Sequence, residues 1–234
     1  MNDPSGQWRP EGWLAFDNGE AMAAACADRV AEIVEGAIAE RGTAVLAFPG
    51  GSTPAPAFEL LAKRPLAWTK VTILPGDDRM VDRDDPLSNF GMLSRYFGAT
   101  GAKLVPMVDG DETRAENANR RLADLPWPLD LVWLGVGGDG HTASIFPGPD
   151  YREALTTDER ALKVTPDPLP PEAPVPRITL SPAAIRSARH RMLSLRGADK
   201  RDVLLEALSD GNRSRFPVGV VIGSAPAEFY WSPA

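Results

Sequence analysis

Cysteine is all but missing from this chain: Cys26 is the only one among 234 residues. No intramolecular disulfide can form, and a zinc cage built from thiolates is excluded. Histidine is almost as scarce, with only His141 and His190. No apolar run approaches the roughly 20 residues of a membrane span. The opening segment, MNDPSGQWRPEGW, is polar and lacks the apolar centre of a signal peptide. Positive charge is in deficit too, with 25 Lys and Arg against 32 Asp and Glu and a formal net charge of −7. That balance argues against general nucleic-acid binding, which leans on many phosphate contacts. It leaves room for one local basic site that takes a small anion.

What is present reads as globular. Hydrophobic residues make up 43% and charged residues 24% of the chain, close to the usual averages. A chain of this length buries about 70% of the surface it exposes when unfolded, enough for a core without metals or disulfides. The expectation is one domain over 1–234, in a reducing, cytoplasmic compartment, with no nucleic-acid or membrane partner. No internal repeat or low-complexity tract interrupts it. Proline is abundant, at 23 residues, against a usual frequency of about 5%. Its densest cluster, Pro166–Pro176 (PDPLPPEAPVP), suits an interdomain linker or a rigid surface loop. The short remainder of the chain favours the loop.

Hydrophobic periodicity predicts alternating helices and strands. Val30, Ile33, Val34, Ala37 and Ile38 mark one face of a helix over Glu20–Arg41, stopped by Gly42. Further helices are expected at Pro54–Lys63, with proline at the first position, and at Ser88–Phe97, Glu112–Leu125, Ser181–Ser187 and Asp199–Leu208. Ser181 is the expected N-cap of its helix. Strands are expected at Thr43–Phe48, Lys70–Leu74, Lys103–Pro106, Leu129–Leu134, Ala161–Thr165 and Arg191–Leu195, while Val218–Ile222 is ambiguous. Unbroken apolar strands alternating with helices imply an α/β fold. The expected architecture is a doubly wound, mostly parallel, Rossmann-like sheet with helices on both faces. Ligands of such sheets bind beyond the carboxyl ends of the strands.

The first strand is followed by PGGSTPAPAFELL. Its glycines allow a tight turn, and Gly51, Ser52 and Thr53 then offer hydroxyls and N–H groups where a helix begins, a natural anion site. No lysine follows at Walker spacing, and Pro54 breaks the nucleophile-elbow pattern. An ordinary capped strand-to-helix turn explains the same residues. The second strand exits into Asp77-Asp78-Arg79. An acid there can bind hydroxyls or take a proton, and Arg79 can hold a phosphate or carboxylate. Asp82, Asp84 and Asp85 read as a solvated loop, since no calcium-loop glycine or terminal glutamate follows.

The third strand exits into GVGGDGHTASIFPG. Gly135, Gly137 and Gly140 satisfy G-x-G-x-x-G, but Pro147-Gly148-Pro149 halts any long helix, so a dinucleotide site is set aside. The glycines around Asp139 and His141 permit close approach of a substrate, and histidine is the natural base near neutrality. Arg177 and Lys200 stand at element boundaries. Lys200 falls at a helix start, where a cation is misplaced unless an anion shares the site. Taken by spacing alone, both read as surface cations. His190 reads as structural.

These blocks together resemble the 6-phosphogluconolactonase family, within the wider group that includes glucosamine-6-phosphate deaminases. The carrying motifs are GGSTP at 50–54, DDR at 77–79 with SN at 88–89, GVGGDGHTASIFPG at 135–148, RITLSP at 177–182 and GADK at 197–200. The resemblance implies hydrolysis of 6-phospho-D-glucono-1,5-lactone to 6-phosphogluconate, the second step of the oxidative pentose phosphate pathway, without a cofactor or metal. It assigns His141 as general base, with Asp139 orienting the loop or the ring. It makes Gly51, Ser52, Thr53, Arg177 and Lys200 the phosphate site and sets Asp77 and Arg79 near the sugar. Gly137 and Gly138 line the sugar, and N–H groups of their loop are candidates for the oxyanion. The chain departs from the family in Asp78, where glutamate is common, and in Pro49, where serine is common.

Two rival readings accompany this one. A deaminase/isomerase of the same group carries a glutamate five residues after the histidine, where this chain has Phe146. A sugar-phosphate-binding protein without turnover would have no need of His141. Such sensors normally carry a DNA-binding segment, and the residues before the first strand show no helix-turn-helix pattern. The expected partner is a small sugar-phosphate lactone. Oligomeric state is not encoded legibly, and a monomer is compatible with the composition.

Overall fold

The computed structural model describes residues 10–109, 114–148, 151–209, 216–223 and 225–233. The elements run β1 (Trp13–Ala15), α1 (Gly19–Arg41), β2 (Ala44–Phe48), α2 (Ala55–Ala62), β3 (Val71–Pro75), β4 (Asp77–Arg79) and α3 (Asn89–Phe97). They continue with β5 (Lys103–Leu104), α4 (Ala115–Ala123), β6 (Leu131–Leu134), α5 (Tyr151–Thr156), β7 (Ala161–Val164), β8 (Arg177–Leu180) and α6 (Pro182–Ser187). The chain closes with β9 (His190–Arg196), α7 (Ala198–Ser209), α8 (Pro217–Ile222) and β10 (Glu228–Ser232).

Local chemistry sets the helix ends. Asn18 accepts the Ala21 N–H at 2.9 Å to start α1, and Gly42 stops it with φ 81°. Ser88 and Ser181 cap α3 and α6 by accepting the N–H groups of Gly91 and Ala184. The apolar stretch at Val218 resolves as a helix, α8. The helix expected from Glu112 is observed over Ala115–Ala123, and its first two expected residues lie outside the described residues. Residues 1–9 of the polar opening segment and Pro149 lie outside them as well.

Seven strands form one parallel sheet in the order β1-β10-β9-β6-β2-β3-β5. Side chains alternate strictly between its two faces. Ala44, Leu46 and Phe48 of β2 and Leu131 and Trp133 of β6 pack with α1, α2 and α3. Val45, Ala47, Val132 and Leu134 pack against α4, α6, α7 and α8. Both faces are therefore covered, which is why these strands read as continuous apolar runs. Phe48, Phe58 and Trp133 meet at ring distances of 5.2 to 5.8 Å and form an aromatic floor under the end of β2. Among the described residues, no helix is long and apolar enough to cross a membrane.

A second sheet, in the order β4-β8-β7, is antiparallel and was not anticipated. The segment Ala161–Val164 belongs to it rather than to the large sheet. The two sheets join at Gly76, whose N–H donates to Phe48 O at 2.8 Å and whose carbonyl accepts from Leu180 at 2.9 Å. The proline-dense segment connects β7 to β8, which are neighbours in one sheet. It is a loop within that sheet, so the linker reading is excluded.

Candidate active site

Beyond the carboxyl ends of β2, β3, β6 and β9 lies a cleft of about 350 Å³. Each strand contributes its following loop. After β2 come Gly50, Gly51, Ser52 and Thr53, with Gly51 in the left-handed region at φ 87°. Pro54 occupies the N-cap of α2, one residue before the helix, and no side chain caps it. The Ser52 and Thr53 hydroxyls are thus left to the cleft. Gly50 is required by packing, because a Cβ there would overlap the Asn89 amide.

The small sheet supplies charge. Asp77, Arg79 and Arg177 line the cleft from β4 and β8, and the ladder sets Arg79 directly opposite Arg177. Like charges facing across a strand pair destabilise it unless something lies between them. Arg177 is 2% exposed, its Nη2 donates to Ala173 O at 3.2 Å, and its Nη1 is buried without a partner. Burial lowers its pKa, Asp77 and Glu172 oppose that shift, and Arg79 adds to it. Arg79 is anchored by Nη1 to Leu87 O and Asn89 Oδ1, both at 2.9 Å, while its Nε is buried and unpartnered. Lys200 reaches the same cleft from the first turn of α7 and makes no ion pair among the described residues. Three cationic side chains thus line one cleft, and two of them carry a buried nitrogen without a partner.

The loop after β6 holds the titratable pair. His141 Nδ1 lies 2.5 Å from Asp139 Oδ1, and the His141 N–H donates to the same oxygen at 3.1 Å. Partial burial pushes the Asp139 carboxyl up, but the hydrogen bond and charge of His141 outweigh it, and the net shift is downward. Asp139 therefore stays an anion, and because its Oδ1 faces Nδ1, Nε2 is the ring nitrogen that it does not engage. A Cβ on Gly137 would overlap both the His141 ring and the Asp139 carboxylate. Glycine at 137 is what lets this pair form.

Within this loop some N–H groups are engaged, and one glycine lies off the main cleft. The N–H groups of Gly137 and Gly140 donate to His141 O and Gly137 O, at 2.9 and 3.0 Å. With the His141 N–H also engaged, these donors are not free for an oxyanion. Gly138 does not line the main cleft. It lies with Asp139 in an adjoining cleft of about 380 Å³, walled by residues of the proline loop. His141, Phe146 and Glu172 border both spaces.

Sequence reasoning does not single out Ser144, Asn89 or Glu172. Ser144 donates to Asp77 Oδ2 at 2.5 Å, tying the histidine loop to β4. Asn89 donates to Asp77 O at 2.7 Å. Asp78, facing away from the cleft, accepts N–H bonds from Arg79, Asn89 and Phe90 and pins α3 to β4. Burial, with the neighbouring Asp77 charge, raises its pKa to about 6 against those hydrogen bonds. Phe146 stacks on His141 with ring centroids 4.3 Å apart, and the Arg177 guanidinium lies 4.8 Å from the same ring. Ser144 and Asn89 sat inside quoted motifs, which was the only available signal. Glu172 had none. His190 lies at the amino end of β9, at the opposite end of the parallel strands from the main cleft, beside a separate cleft.

Residues 17–231 match the family model described as glucosamine-6-phosphate isomerases/6-phosphogluconolactonase. A 6-phosphogluconolactonase of Mesorhizobium japonicum is 39% identical over 229 residues, covering 94% of this chain and 95% of the relative. A crystal structure of a 6-phosphogluconolactonase from Shewanella baltica superposes with a TM-score of 0.88 at 32% identity, covering 96% of this chain and 98% of that one. A putative 6-phosphogluconolactonase from Neisseria gonorrhoeae gives a TM-score of 0.84 at 31% identity, with 94% and 98% covered.

Proposed function

The chain belongs to the glucosamine-6-phosphate isomerase/6-phosphogluconolactonase family, and within it we propose that the protein is a lactonase. It hydrolyses 6-phospho-D-glucono-1,5-lactone to 6-phospho-D-gluconate, the second step of the oxidative pentose phosphate pathway. One observation carries the reading. His141, paired with Asp139, lines the same cleft as Arg79, Arg177 and Lys200, and two of these cations carry a buried nitrogen without a partner.

The phosphate binds among Gly51, Ser52, Thr53, Arg177 and Lys200, which fixes the far end of the substrate. That remote binding energy is used to hold the lactone carbonyl beside His141. Water attacks C1 while His141 Nε2 takes one of its protons. The C1–O5 bond of the tetrahedral intermediate then breaks, and the imidazolium returns its proton to O5. The new carboxylic acid loses a proton to solvent. Asp139 stabilises the transient imidazolium, and Asp77 and Arg79 hold the sugar. A positioned base contributes about 10²- to 10⁴-fold, and a lactone that opens spontaneously in water requires no covalent nucleophile. The deaminase alternative calls for a second acid–base group at position 146, and Phe146 has none to offer.

The protein works as one α/β unit in the cytoplasm, on a small sugar-phosphate lactone. Its acidic balance supports the absence of a nucleic-acid partner. The test is lactone decay. 6-Phosphogluconolactone is generated from glucose-6-phosphate with a dehydrogenase, and its loss is followed with and without the protein. His141→Ala should lower kcat at least 100-fold with little change in KM. A wild type no faster than the spontaneous background would overturn the lactonase reading. Titration of sugar phosphates would then test for binding without turnover.

A further inference from the structure

We infer that Phe146 is a positioning residue that holds the base and the anion-binding cation in one fixed relation. The inference rests on the lactonase reading of the cleft. The imidazole of His141 stacks on the Phe146 ring at 4.3 Å with planes 28° apart. The guanidinium of Arg177 lies 4.8 Å from the centroid of that same ring. No hydrogen bond or ion pair between His141 and Arg177 is present among the described residues. Their shared contact is this side chain.

The backbone is bent to bring it there. Thr142 and Ile145 form an isolated antiparallel bridge, and the Ile145 N–H donates to Thr142 O at 3.0 Å. Ala143, inside the turn, has φ 48°, a left-handed conformation that residues other than glycine seldom adopt. The Thr142 hydroxyl donates to Gly135 O at 2.8 Å, and the Ser144 N–H donates to Thr179 Oγ1 at 3.2 Å. This turn folds the chain back so that residue 146 covers residue 141. A strained conformation held by several outside hydrogen bonds is a mark of a functional segment.

The ring does two things that an aliphatic side chain would not. Its π face attracts the Arg177 cation, which has an unpartnered Nη1 and lies opposite another arginine. Its flat surface restrains the rotation of His141 about the bond to Asp139, so that Nε2 keeps one direction. Phe146 touches no reacting atom in this account. It acts through its two neighbours.

The experiment compares Phe146→Leu, Phe146→Tyr and wild type on the phosphorylated lactone and on unphosphorylated glucono-δ-lactone. Phe146 is partly exposed, so a tyrosine hydroxyl can reach solvent. Phe146→Leu should lower kcat/KM on the phosphorylated lactone about tenfold or more through both kcat and KM. On the unphosphorylated lactone only kcat should fall. Phe146→Tyr should return values within about threefold of wild type on both. Equal losses for leucine and tyrosine, or a leucine variant within twofold of wild type, would overturn the inference. Calorimetric titration with 6-phosphogluconate separates it from the lactonase reading. If wild type binds this anion but does not speed decay of the lactone, the lactonase reading fails and the affinity still reports on Phe146. A fivefold weaker affinity in Phe146→Leu then supports its hold on Arg177, and an unchanged affinity refutes it.

Discussion

Arg79 and Arg177 occupy facing positions on β4 and β8, each with a buried guanidinium nitrogen that has no partner. Two cations are thus held together by a ladder that would be more stable without their repulsion. Under the proposed function, a phosphate bound between them would offset that repulsion.

Replacing Arg177 should therefore separate stability from binding. Arg177→Met keeps the bulk and removes the charge. KM for the phosphorylated lactone should rise about 10- to 100-fold, the loss of one charge-assisted hydrogen-bonding group worth roughly 1.5–3 kcal/mol. The melting temperature of the free protein should stay level or rise, because an unpaired buried charge is gone. Steady-state kinetics and calorimetry on one preparation test both. A variant that melts earlier and binds normally would show that Arg177 is a structural residue.

Asp139 Oδ1 lies 2.5 Å from His141 Nδ1, where it can orient the ring. Asp139→Asn should lower kcat about 10- to 100-fold while KM stays within a few-fold. A kcat unchanged by the substitution would show that Asp139 does not act through the ring.

Gly137→Ala should be as damaging as a change to the pair itself. The new Cβ enters the space shared by the His141 ring and the Asp139 carboxylate. A kcat loss of about 100-fold is expected, with far-ultraviolet circular dichroism unchanged. Alanine at 138 should be tolerated, since a Cβ at Gly138 meets nothing within 4 Å.

Asp78 sets a pH dependence of stability rather than of catalysis. Its carboxyl titrates at about 6 in the folded protein and near 3.9 when unfolded. Between those values the unfolded chain has released the proton and the folded one still holds it. Asp78 therefore favours the folded state most at low pH, and that advantage is lost as pH rises from about 4 to about 6. The difference corresponds to about 3 kcal/mol. Asp78→Asn should be destabilising throughout, because an amide replaces an acceptor of three N–H groups. Its deficit against wild type should shrink over that pH window. Denaturant unfolding at pH 4.5 and pH 7 measures it, and an unchanged deficit would mean that Asp78 is ionised at both.

The amino-acid sequence by itself determined five strands of the large sheet (β2, β3, β5, β6 and β9) and the place of its cleft, while β1 and β10 at its other edge were not legible. Buried parallel strands such as Ala44–Phe48 and Leu131–Leu134 must be apolar on both faces, and their helices must start at a cap such as Ser88 or Ser181. Those requirements are local and leave periodic marks. The glycine-rich turns after β2 and β6 are local in the same way, so Gly51, Ser52, Thr53, Gly137 and His141 could be placed at the cleft from the sequence. Only the tertiary structure decided the rest. Asp77-Asp78-Arg79 and Arg177–Leu180 carry charge where strands usually do not, and they are strands because each pairs with a segment roughly a hundred residues away. The facing arginines and the Ser144–Asp77 bond arise from that pairing, as does the ring shared by His141 and Arg177. Distance in space between residues far apart in the chain has no periodic signature. It is set when two sheets close on one another, and the chemistry of this cleft depends on that closure.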